Sequence, residues 1–219
     1  MISGIVEDYL TTIYRLEEIY GYAKTTHIAK ELNVKPATVT KVINKLVNKG
    51  LVTRVKYRGM KLTKKGRVIA EKIIRKHRIL EVFLSDFLGF NLYESHRLAH
   101  QLEHMPDKLV ERIYEKLGKP SLCPHGNLIP GAEGGELPKA ISLWEATEGK
   151  CYKVLRIAGE LNYVLSKLND IGIDIGTVIK LLMARGTYYE LSVGPDKAKV
   201  MFDDLVLRSL YVKEVKCAG

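Results

Sequence analysis

The strongest constraint on the fold is a helix break followed by a proline near the N-terminus. Residues 26–32 have a helical pattern, and residues 33–35 interrupt it before Pro36. Proline suits the first turn of a helix, because the N–H that it lacks would have no intrahelical partner there. In the second helix the apolar residues fall on one face and leave the polar face free. This spacing predicts a helix-turn-helix.

A short strand pair follows the second helix. Residues 51–56 have a strand-like pattern, residues 57–59 form a turn, and residues 60–62 return. Thr63 can then cap the next helix with its hydroxyl. A strand pair in this place is the wing of a winged helix, so we predict a winged helix-turn-helix domain over residues 1–75.

The positive charge is concentrated in the same segment. Residues 1–75 contain 16 of the 35 Lys and Arg but only 6 of the 25 Asp and Glu, so the net charge of +10 arises there. A folded basic domain indicates a polyanion partner, with DNA favoured over an anionic membrane surface, although an ordinary lysine-rich surface is the alternative. We predict these DNA contacts: Lys35, Pro36, Ala37, Thr38, Thr40, Lys41, Lys45, Tyr57 and Arg58.

Other classes are disfavoured by what the sequence lacks. No run approaches the ~20 apolar residues of a membrane span, and the start lacks a basic region followed by an apolar core. The three cysteines, Cys123, Cys151 and Cys217, are too few and oddly numbered for a disulfide framework. We expect a cytoplasmic protein without a membrane partner and with reduced cysteines.

Three regions of different pattern follow one another along the chain. Residues 76–118 are almost purely helical, and residues 119–138 form a loop rich in Pro and Gly. The last region has strand-like runs at residues 153–157, 178–183, 188–193, 199–202 and 211–215, with a helical stretch at 161–168. We predict a mainly α, α+β chain with domains at 1–75, 76–138 and 139–219, the last a small antiparallel barrel.

Three histidines follow one another at four-residue steps in the helical region. His96, His100 and His104 would drift only ~40° per step and share a helix face, with Glu103 between them. A single histidine is usually structural, but three with a glutamate indicate a metal site. His96 and His104 would lie ~12 Å apart along the axis, too far for one ion. The spacing therefore predicts two half-sites, one of them His100, Glu103 and His104.

The second half-site needs ligands from another helix besides His96. His77 and Glu81 lie one helical turn apart and supply them. Imidazole and carboxylate without clustered thiolate favour Mn(II), Fe(II), Co(II), Ni(II) or Zn(II) over Cu(I), and the sequence does not choose among them. Asp8 is a further candidate ligand, though an acidic residue near a helix start also suits the helix dipole.

Several short motifs occur together along essentially the whole chain: Glu7-Asp8-Tyr9-Leu10, Tyr57-Arg58-Gly59, Leu62-Thr63, Lys76-His77-Arg78, Leu102-Glu103-His104 and Cys123-Pro124-His125-Gly126-Asn127. With them the chain resembles the diphtheria toxin repressor family of iron- and manganese-dependent regulators. The resemblance implies a homodimer joined by its second domain and a C-terminal barrel similar to SH3 and FeoA-type domains. It also implies Fe²⁺ or Mn²⁺ as corepressor for binding to a palindromic operator of metal-homeostasis genes.

The resemblance also implies which residues ligate metal. The regulatory site would use Asp8, His100, Glu103 and His104. The ancillary site would use His77, Glu81 and His96. Some members complete a second site with residues that correspond to Cys123, His125 and Glu160, for which a structural loop and a surface carboxylate are the alternative.

The sequence departs from the family pattern at two positions. His100 stands where Cys, Met or Glu is common, and Thr11 stands where manganese-selective members often have Glu. These departures leave the metal open, with Zn²⁺, Co²⁺ or Ni²⁺ as surrogates.

Two other functions compete with the repressor interpretation. His100, Glu103 and His104 match the H-x-x-E-H pattern of one group of zinc metalloproteases, but such a short pattern arises by chance on helices. A metal-independent DNA-binding or architectural protein with structural histidines is the other alternative. We expect that the chain is not an enzyme.

Overall fold

The N-terminal region is a winged helix in the structure, a computed structural model that describes residues 4–185, 188–193 and 198–217. Asn33 adopts a left-handed φ of 51° in the turn between the second and third helices, and Pro36 begins the third. The wing strands pair in antiparallel register from Val52↔Leu62 to Val55↔Gly59. The elements are α1 Gly4–Tyr20, α2 Thr25–Glu31, α3 Pro36–Asn48, β1 Val52–Val55 and β2 Gly59–Leu62.

The winged helix is held by the apolar face of α3 and by the chain before α2. Val39, Ile43 and Leu46 of α3 are buried, as the period of the apolar residues predicts. Ala23 pairs with Met60 and adds a short bridge to the wing. Gly59, with φ +139°, permits this contact, because a Cβ there would lie 2.1 Å from the Ala23 carbonyl oxygen.

The helical region contains three helices: α4 Lys64–Val82, α5 Leu92–Leu102 and α6 Asp107–Lys116. Thr63 caps α4, and a turn of π-helix, Phe83–Phe87, extends it. Asn91 and Glu94 form a capping box at the start of α5. The prediction that His96, His100 and His104 lie on one helix is wrong for His104, because α5 stops at Leu102. No helix in the described part of the chain has the length and apolar character to cross a membrane.

The middle of the Pro- and Gly-rich loop, residues 123–129, packs inside the protein. His125 and Asn127 are fully buried, and Cys123 and Ile129 nearly so. The Ile157 N–H donates to the His125 carbonyl at 2.9 Å, and the Asn127 amide donates to the Ile157 carbonyl at 2.7 Å. These contacts fasten the loop to the C-terminal region and place its polar side chains next to α4.

The C-terminal region is one antiparallel sheet of six strands in the order β3-β8-β4-β5-β6-β7. The five predicted strands are present within one or two residues, whereas β3 and the helix α8 were not predicted. The predicted α+β class is confirmed. The elements are β3 Ile141–Ser142, a 3-10 turn Leu143–Glu145, β4 Cys151–Ile157, α7 Asn162–Asp170, β5 Val178–Arg185, β6 Tyr188–Val193, β7 Ala198–Phe202, α8 Asp204–Ser209 and β8 Leu210–Val215.

Two of the three cysteines form a disulfide, so the expectation of three reduced cysteines is wrong. Cys151 is joined to Cys217, with 5.2 Å between their Cα atoms. Strands β4 and β8 are neighbours, and Cys151 lies opposite Val215 in their register. The pairing brings Cys217 within reach, although 66 residues separate the two cysteines in sequence. Among the described cysteines Cys123 is free and buried.

The C-terminal region docks directly onto the winged helix. The Tyr20 hydroxyl of α1 donates to Asp204 of α8 at 2.9 Å. Gly159, with φ +74°, lies so close to α1 that a Cβ there would meet the Arg15 carbonyl oxygen at 2.7 Å. Further polar contacts link α2 to α7 and to Asp203. The candidate site described below lies where these parts meet α4 and α5.

Candidate metal centre

Three imidazole rings from α4 and α5 form a compact triangle, which we call the histidine cluster: His77, His96 and His100. The ring centroids are 4.7 Å apart for His77 and His96, 4.6 Å for His77 and His100, and 4.7 Å for His96 and His100. His96 and His100 lie one turn apart on the face of α5 that packs against α4. The sequence assigned His100 to the other half-site, but helix packing places it with His77 and His96.

His77 lies between two carboxylates. Its Nδ1 is 2.8 Å from Glu103 Oε2, and its Nε2 is 2.9 Å from Glu81 Oε1. Burial lowers the pKa of His77, but the Glu81 charge and the hydrogen bonds to both carboxylates outweigh it and raise the pKa. Both nitrogens therefore face a carboxylate oxygen, and a metal ion at His77 would have to replace one of these contacts.

His96 presents an unused nitrogen to the protein interior. Its Nδ1 is 2.8 Å from Glu81 Oε1, so the proton belongs on this nitrogen. Its Nε2 is buried and has no hydrogen-bond partner among the described residues. Burial holds the pKa of His96 well below its usual value, so the imidazole is neutral and Nε2 carries a lone pair.

Arg15 and Glu103 complete the surroundings of His100. The Arg15 side chain, only 2% exposed, places Nη1 3.2 Å from His100 Nε2. On the other side of the ring, His100 Nδ1 faces Glu103 Oε2 at 3.5 Å. Burial raises the pKa of Glu103, but hydrogen bonds from His100 and His77 outweigh it, and the pKa is lowered. Sequence reasoning missed Arg15, because no local pattern connects α1 to α5.

A second group, which we call the loop cluster, joins α4 to the Cys-Pro-His loop and to the C-terminal region: Glu81, Cys123, His125 and Glu160. One ligand atom from each lies within 4.8 Å of every other, and all four residues are buried. The Cys123 thiol donates to Glu160 Oε1 at 2.9 Å, and His125 Nδ1 lies 3.3 Å from Glu81 Oε2. Glu81 thus belongs to the loop cluster and also contacts His77 and His96 of the histidine cluster, although the sequence placed it only with those two histidines.

Arg78 and Asn127 hold Glu160 in place. The Arg78 guanidinium bonds to Glu160 with 3.1 Å between Nε and Oε1, and the Asn127 amide donates to the same oxygen at 2.8 Å. Burial raises the pKa of Glu160, but the Arg78 charge outweighs it and lowers the pKa. Burial and the Glu160 charge raise the pKa of Cys123 well above its usual value. Glu160 is therefore a buried ionised carboxylate, not the surface carboxylate of the alternative interpretation.

The four residues of the predicted regulatory site lie near one another without forming one closed cage. Asp8 is exposed on α1 and lines a cavity of about 410 Å³ together with His100. Partial desolvation of its carboxyl group by neighbouring side chains, together with the Glu103 charge, raises the pKa of Asp8. His104 lies past the end of α5, with its side chain 54% exposed and Nδ1 3.4 Å from Glu7 Oε2. Over the described ranges, the close groups of ligating atoms are those of the two clusters.

The donor chemistry of both clusters fits a divalent transition metal. Imidazole nitrogens and ionised carboxylates dominate, with one thiol, and such sets bind Mn(II), Fe(II) and Zn(II). Two buried nitrogens, His96 Nε2 and His125 Nε2, have no hydrogen-bond partner in the described chain. A buried polar atom without a partner costs free energy unless a ligand satisfies it. We conclude that the residues present suit a bound cation.

The predicted DNA contacts lie at exposed positions of the winged helix. The side chains before and along α3 that were predicted to contact DNA are exposed, while Val39 and Ile43 point into the core. At the wing tip Tyr57 is 95% exposed and adopts a φ of 61°. The surface therefore presents one helix face and a wing, as groove-binding domains of this class do.

Comparisons with known proteins agree with this arrangement. The profile of the iron-dependent repressor N-terminal DNA-binding domain matches residues 1–60, and that of the iron-dependent repressor metal-binding and dimerisation domain matches residues 63–131. The diphtheria toxin repressor of Corynebacterium efficiens is 32% identical over 194 residues, which cover 82% of this chain and 84% of that protein.

Solved structures with the same fold include two metal-dependent regulators. IdeR of T. acidophilum has a TM-score of 0.75 at 27% identity, covering 98% of this chain and 99% of its own. The manganese regulator SloR has a TM-score of 0.76 at 30% identity, and the match covers 96% of this chain and 98% of that protein. The family that the sequence motifs indicate is thus confirmed, and the chain belongs to the diphtheria toxin repressor family of iron-dependent repressors.

Proposed function

We propose that this chain is a DNA-binding transcriptional repressor that uses a divalent transition metal as corepressor. Its family membership supports this function. The observation that carries the proposal is the contact between Arg15 of α1 and His100 of α5, with 3.2 Å between Nη1 and Nε2. Because α1 belongs to the winged helix, a cation held at the histidine cluster would act directly on the DNA-binding domain.

We assign the metal ligands to three groups, two of which share Glu81. The regulatory site is proposed at Asp8, His100, Glu103 and His104, supported by the cavity that Asp8 and His100 line and by the contact of Glu103 with His100. The ancillary site is proposed at His77, Glu81 and His96. The loop cluster, with Cys123, His125 and Glu160, is proposed to bind through the shared carboxylate of Glu81.

The proposed corepressor is Fe²⁺ or Mn²⁺, with Zn²⁺, Co²⁺ and Ni²⁺ as surrogates. Nitrogen and oxygen donors outnumber the single thiol, and this donor set suits all of these ions. Related structures are described as a manganese regulator and as the repressor ScaR with bound Zn²⁺. The protein supplies orientation, because Arg78 and Asn127 hold Glu160 before any cation arrives.

The proposed assembly is a homodimer on a palindromic operator of metal-homeostasis genes. The helical region exposes several apolar side chains on its surface, with Phe87 72% exposed, Leu88 50% and Leu109 45%. This surface falls within residues 63–131, which match a domain described as metal-binding and dimerisation. Two copies joined there would present two winged helices to one duplex. With DNA as its partner, we place the protein in the cytoplasm.

The alternative of a zinc metalloprotease is disfavoured by the end of α5. The H-x-x-E-H pattern requires both histidines on one helix, and α5 stops at Leu102, between His100 and His104. His104 Nδ1 instead lies near Glu7 Oε2. We therefore propose that the chain is not an enzyme. The other alternative, DNA binding without metal, is tested together with the corepressor role.

The decisive experiment measures DNA affinity as a function of metal. Fluorescence anisotropy with promoter DNA is recorded with chelator, then with Mn²⁺, with Fe²⁺ under anaerobic conditions, and with Zn²⁺. We expect tight binding only with metal, and a much weaker metal response for His100→Ala. Affinity that chelation leaves unchanged would reject the corepressor function and support metal-independent binding, and metal-dependent peptide cleavage would support the protease.

A further inference from the structure

The Arg15 guanidinium contacts the ring nitrogen of His100 that faces α1. A guanidinium carries only donors, so the contact of 3.2 Å between Arg15 Nη1 and His100 Nε2 requires Nε2 to accept. The His100 proton therefore belongs on Nδ1, which faces Glu103 Oε2 at 3.5 Å. The Asn162 amide, 3.5 Å from the same Nε2, supports this assignment. The lone pair of His100 is thus already used by a cation of the protein itself.

A metal ion would need the same lone pair. Imidazole binds metal through its deprotonated nitrogen, and in His100 that nitrogen is Nε2. Two cations cannot share one lone pair, and the charge of Arg15 would also oppose a divalent ion nearby. Metal binding at His100 Nε2 therefore requires the guanidinium to leave.

The structure provides both a reason and a place for Arg15 to move. Its Nε and Nη2 are buried and have no hydrogen-bond partner within the described ranges. The cavity of about 410 Å³ beside it is lined by Arg15 and by the carboxylate residues Asp8 and Glu31. A guanidinium that turned into this cavity would exchange an imidazole acceptor for the carboxylate of Glu31, an anionic acceptor that binds it more strongly.

We propose that Arg15 is a tethered cation that competes with metal for His100 and sets the metal concentration at which the protein responds. Because Arg15 belongs to α1, its release would also couple metal binding at His100 to the winged helix. Arg15 acts here as a positioning residue, and this inference rests on the proposed function of metal-dependent DNA binding.

The test compares Arg15→Met with the wild type and with Arg97→Met. Arg97 lines the same cavity and is exposed, which makes it a matched control. Mn²⁺ and Zn²⁺ dissociation constants are measured by competition with a chelator of known affinity. We expect Arg15→Met to bind at least about tenfold more tightly and Arg97→Met to bind within about twofold of the wild type, on the scale of changes next to metal ligands.

Two further measurements separate competition from a purely structural effect. In the His100→Ala background, Arg15→Met should increase the metal affinity far less, because the His100 lone pair for which Arg15 and the metal compete is absent. In the metal-free wild type, the histidine ¹H–¹⁵N spectrum should place the His100 proton on Nδ1. If Arg15→Met proves poorly folded, Arg15→Gln, which is also uncharged, replaces it with the same expectation.

Unchanged or weaker metal binding by a folded Arg15 variant would overturn the proposal, as would a proton on His100 Nε2 in the metal-free protein. Failure of the proposed function is a different result. If the proposed function fails, the DNA affinity of the wild type would not respond to metal, while Arg15→Met would still bind the ion more tightly than the wild type.

Discussion

Glu31, the last residue of α2, accepts a hydrogen bond from the backbone N–H of Asn162, the first residue of α7, at 2.8 Å. The Asn162 side-chain amide donates to the same carboxylate oxygen at 3.0 Å. The neighbouring Lys30 lies 3.4 Å above the Tyr163 ring centroid and bonds to Asp203 at 3.1 Å. A carboxylate at a helix N-terminus satisfies free N–H groups and interacts favourably with the helix dipole. The helix-turn-helix therefore caps a helix of the C-terminal region.

Removing this cap should loosen the docking of the two regions. We expect Glu31→Ala to lower the free energy of unfolding by about 1 kcal/mol, the usual effect of losing a helix cap. Hydrogen exchange should become faster at the first amides of α7. Glu136→Ala, at an exposed glutamate of the loop, serves as the control. Unchanged exchange in α7 would show that Glu31 does not hold the two regions together.

The wing contact should be visible in the salt dependence of DNA binding. Arg58 is exposed at the wing tip, where a phosphate contact is predicted. We expect Arg58→Ala to weaken binding similarly for all sequences and to reduce the slope of log affinity against log salt by about one. Lys139→Ala, at an exposed lysine far along the chain, should leave the slope unchanged. A slope that Arg58→Ala does not alter would exclude this phosphate contact.

The carboxylate of Glu81 should matter to both clusters. Its Oε1 lies 2.9 Å from His77 Nε2 and 2.8 Å from His96 Nδ1, and Oε2 lies 3.3 Å from His125 Nδ1. We expect Glu81→Gln to weaken metal binding at both clusters by at least about tenfold, and Cys123→Ser to weaken it at the loop cluster alone. Titration calorimetry measures the metal affinity of each variant, and the metal content after dialysis measures how many ions remain bound. Equal effects of the two variants would contradict separate clusters.

The exposed apolar surface of the helical region should control dimer formation. Phe87 is 72% exposed in the single chain, so its replacement removes little from the core. We expect Phe87→Asp to weaken dimerisation at least about tenfold, as for a central aromatic contact, and to weaken operator binding with it. Sedimentation velocity measures the change. Met201→Asp, at an exposed apolar residue of the C-terminal sheet, should remain dimeric, and a dimeric Phe87→Asp would place the interface elsewhere.

The Cys151–Cys217 bond should stabilise the C-terminal sheet. It closes a long loop, with 66 residues of sequence separation, and thereby restricts the unfolded chain. We expect Cys217→Ser to lower the free energy of unfolding by about 2 to 4 kcal/mol. Dithiothreitol should have the same effect on the wild type and none on the variant, as urea unfolding would show. A wild type that is insensitive to the reductant would contradict this role.

Local pattern was sufficient for much of the fold. The break before Pro36, the turn at residues 57–59 and the alternation of the last region are short-range signals, and each element follows them within a few residues. Helix α8 was not predicted, because its six residues, Asp204–Ser209, are too few to show a helical period. The pairing of Cys151 with Cys217 was not predicted either, because strand order is a property of the whole sheet.

The sequence by itself determined which side chains could ligate a metal and which surface could meet DNA, because residue chemistry and helical period are local. The tertiary structure decided how those ligands are grouped. The end of α5 at Leu102 separates His104 from His100, and the packing of α5 on α4 brings His100 to His77. Only the approach of α1 places Arg15 on His100, since a contact between residues 85 positions apart depends on how whole helices pack.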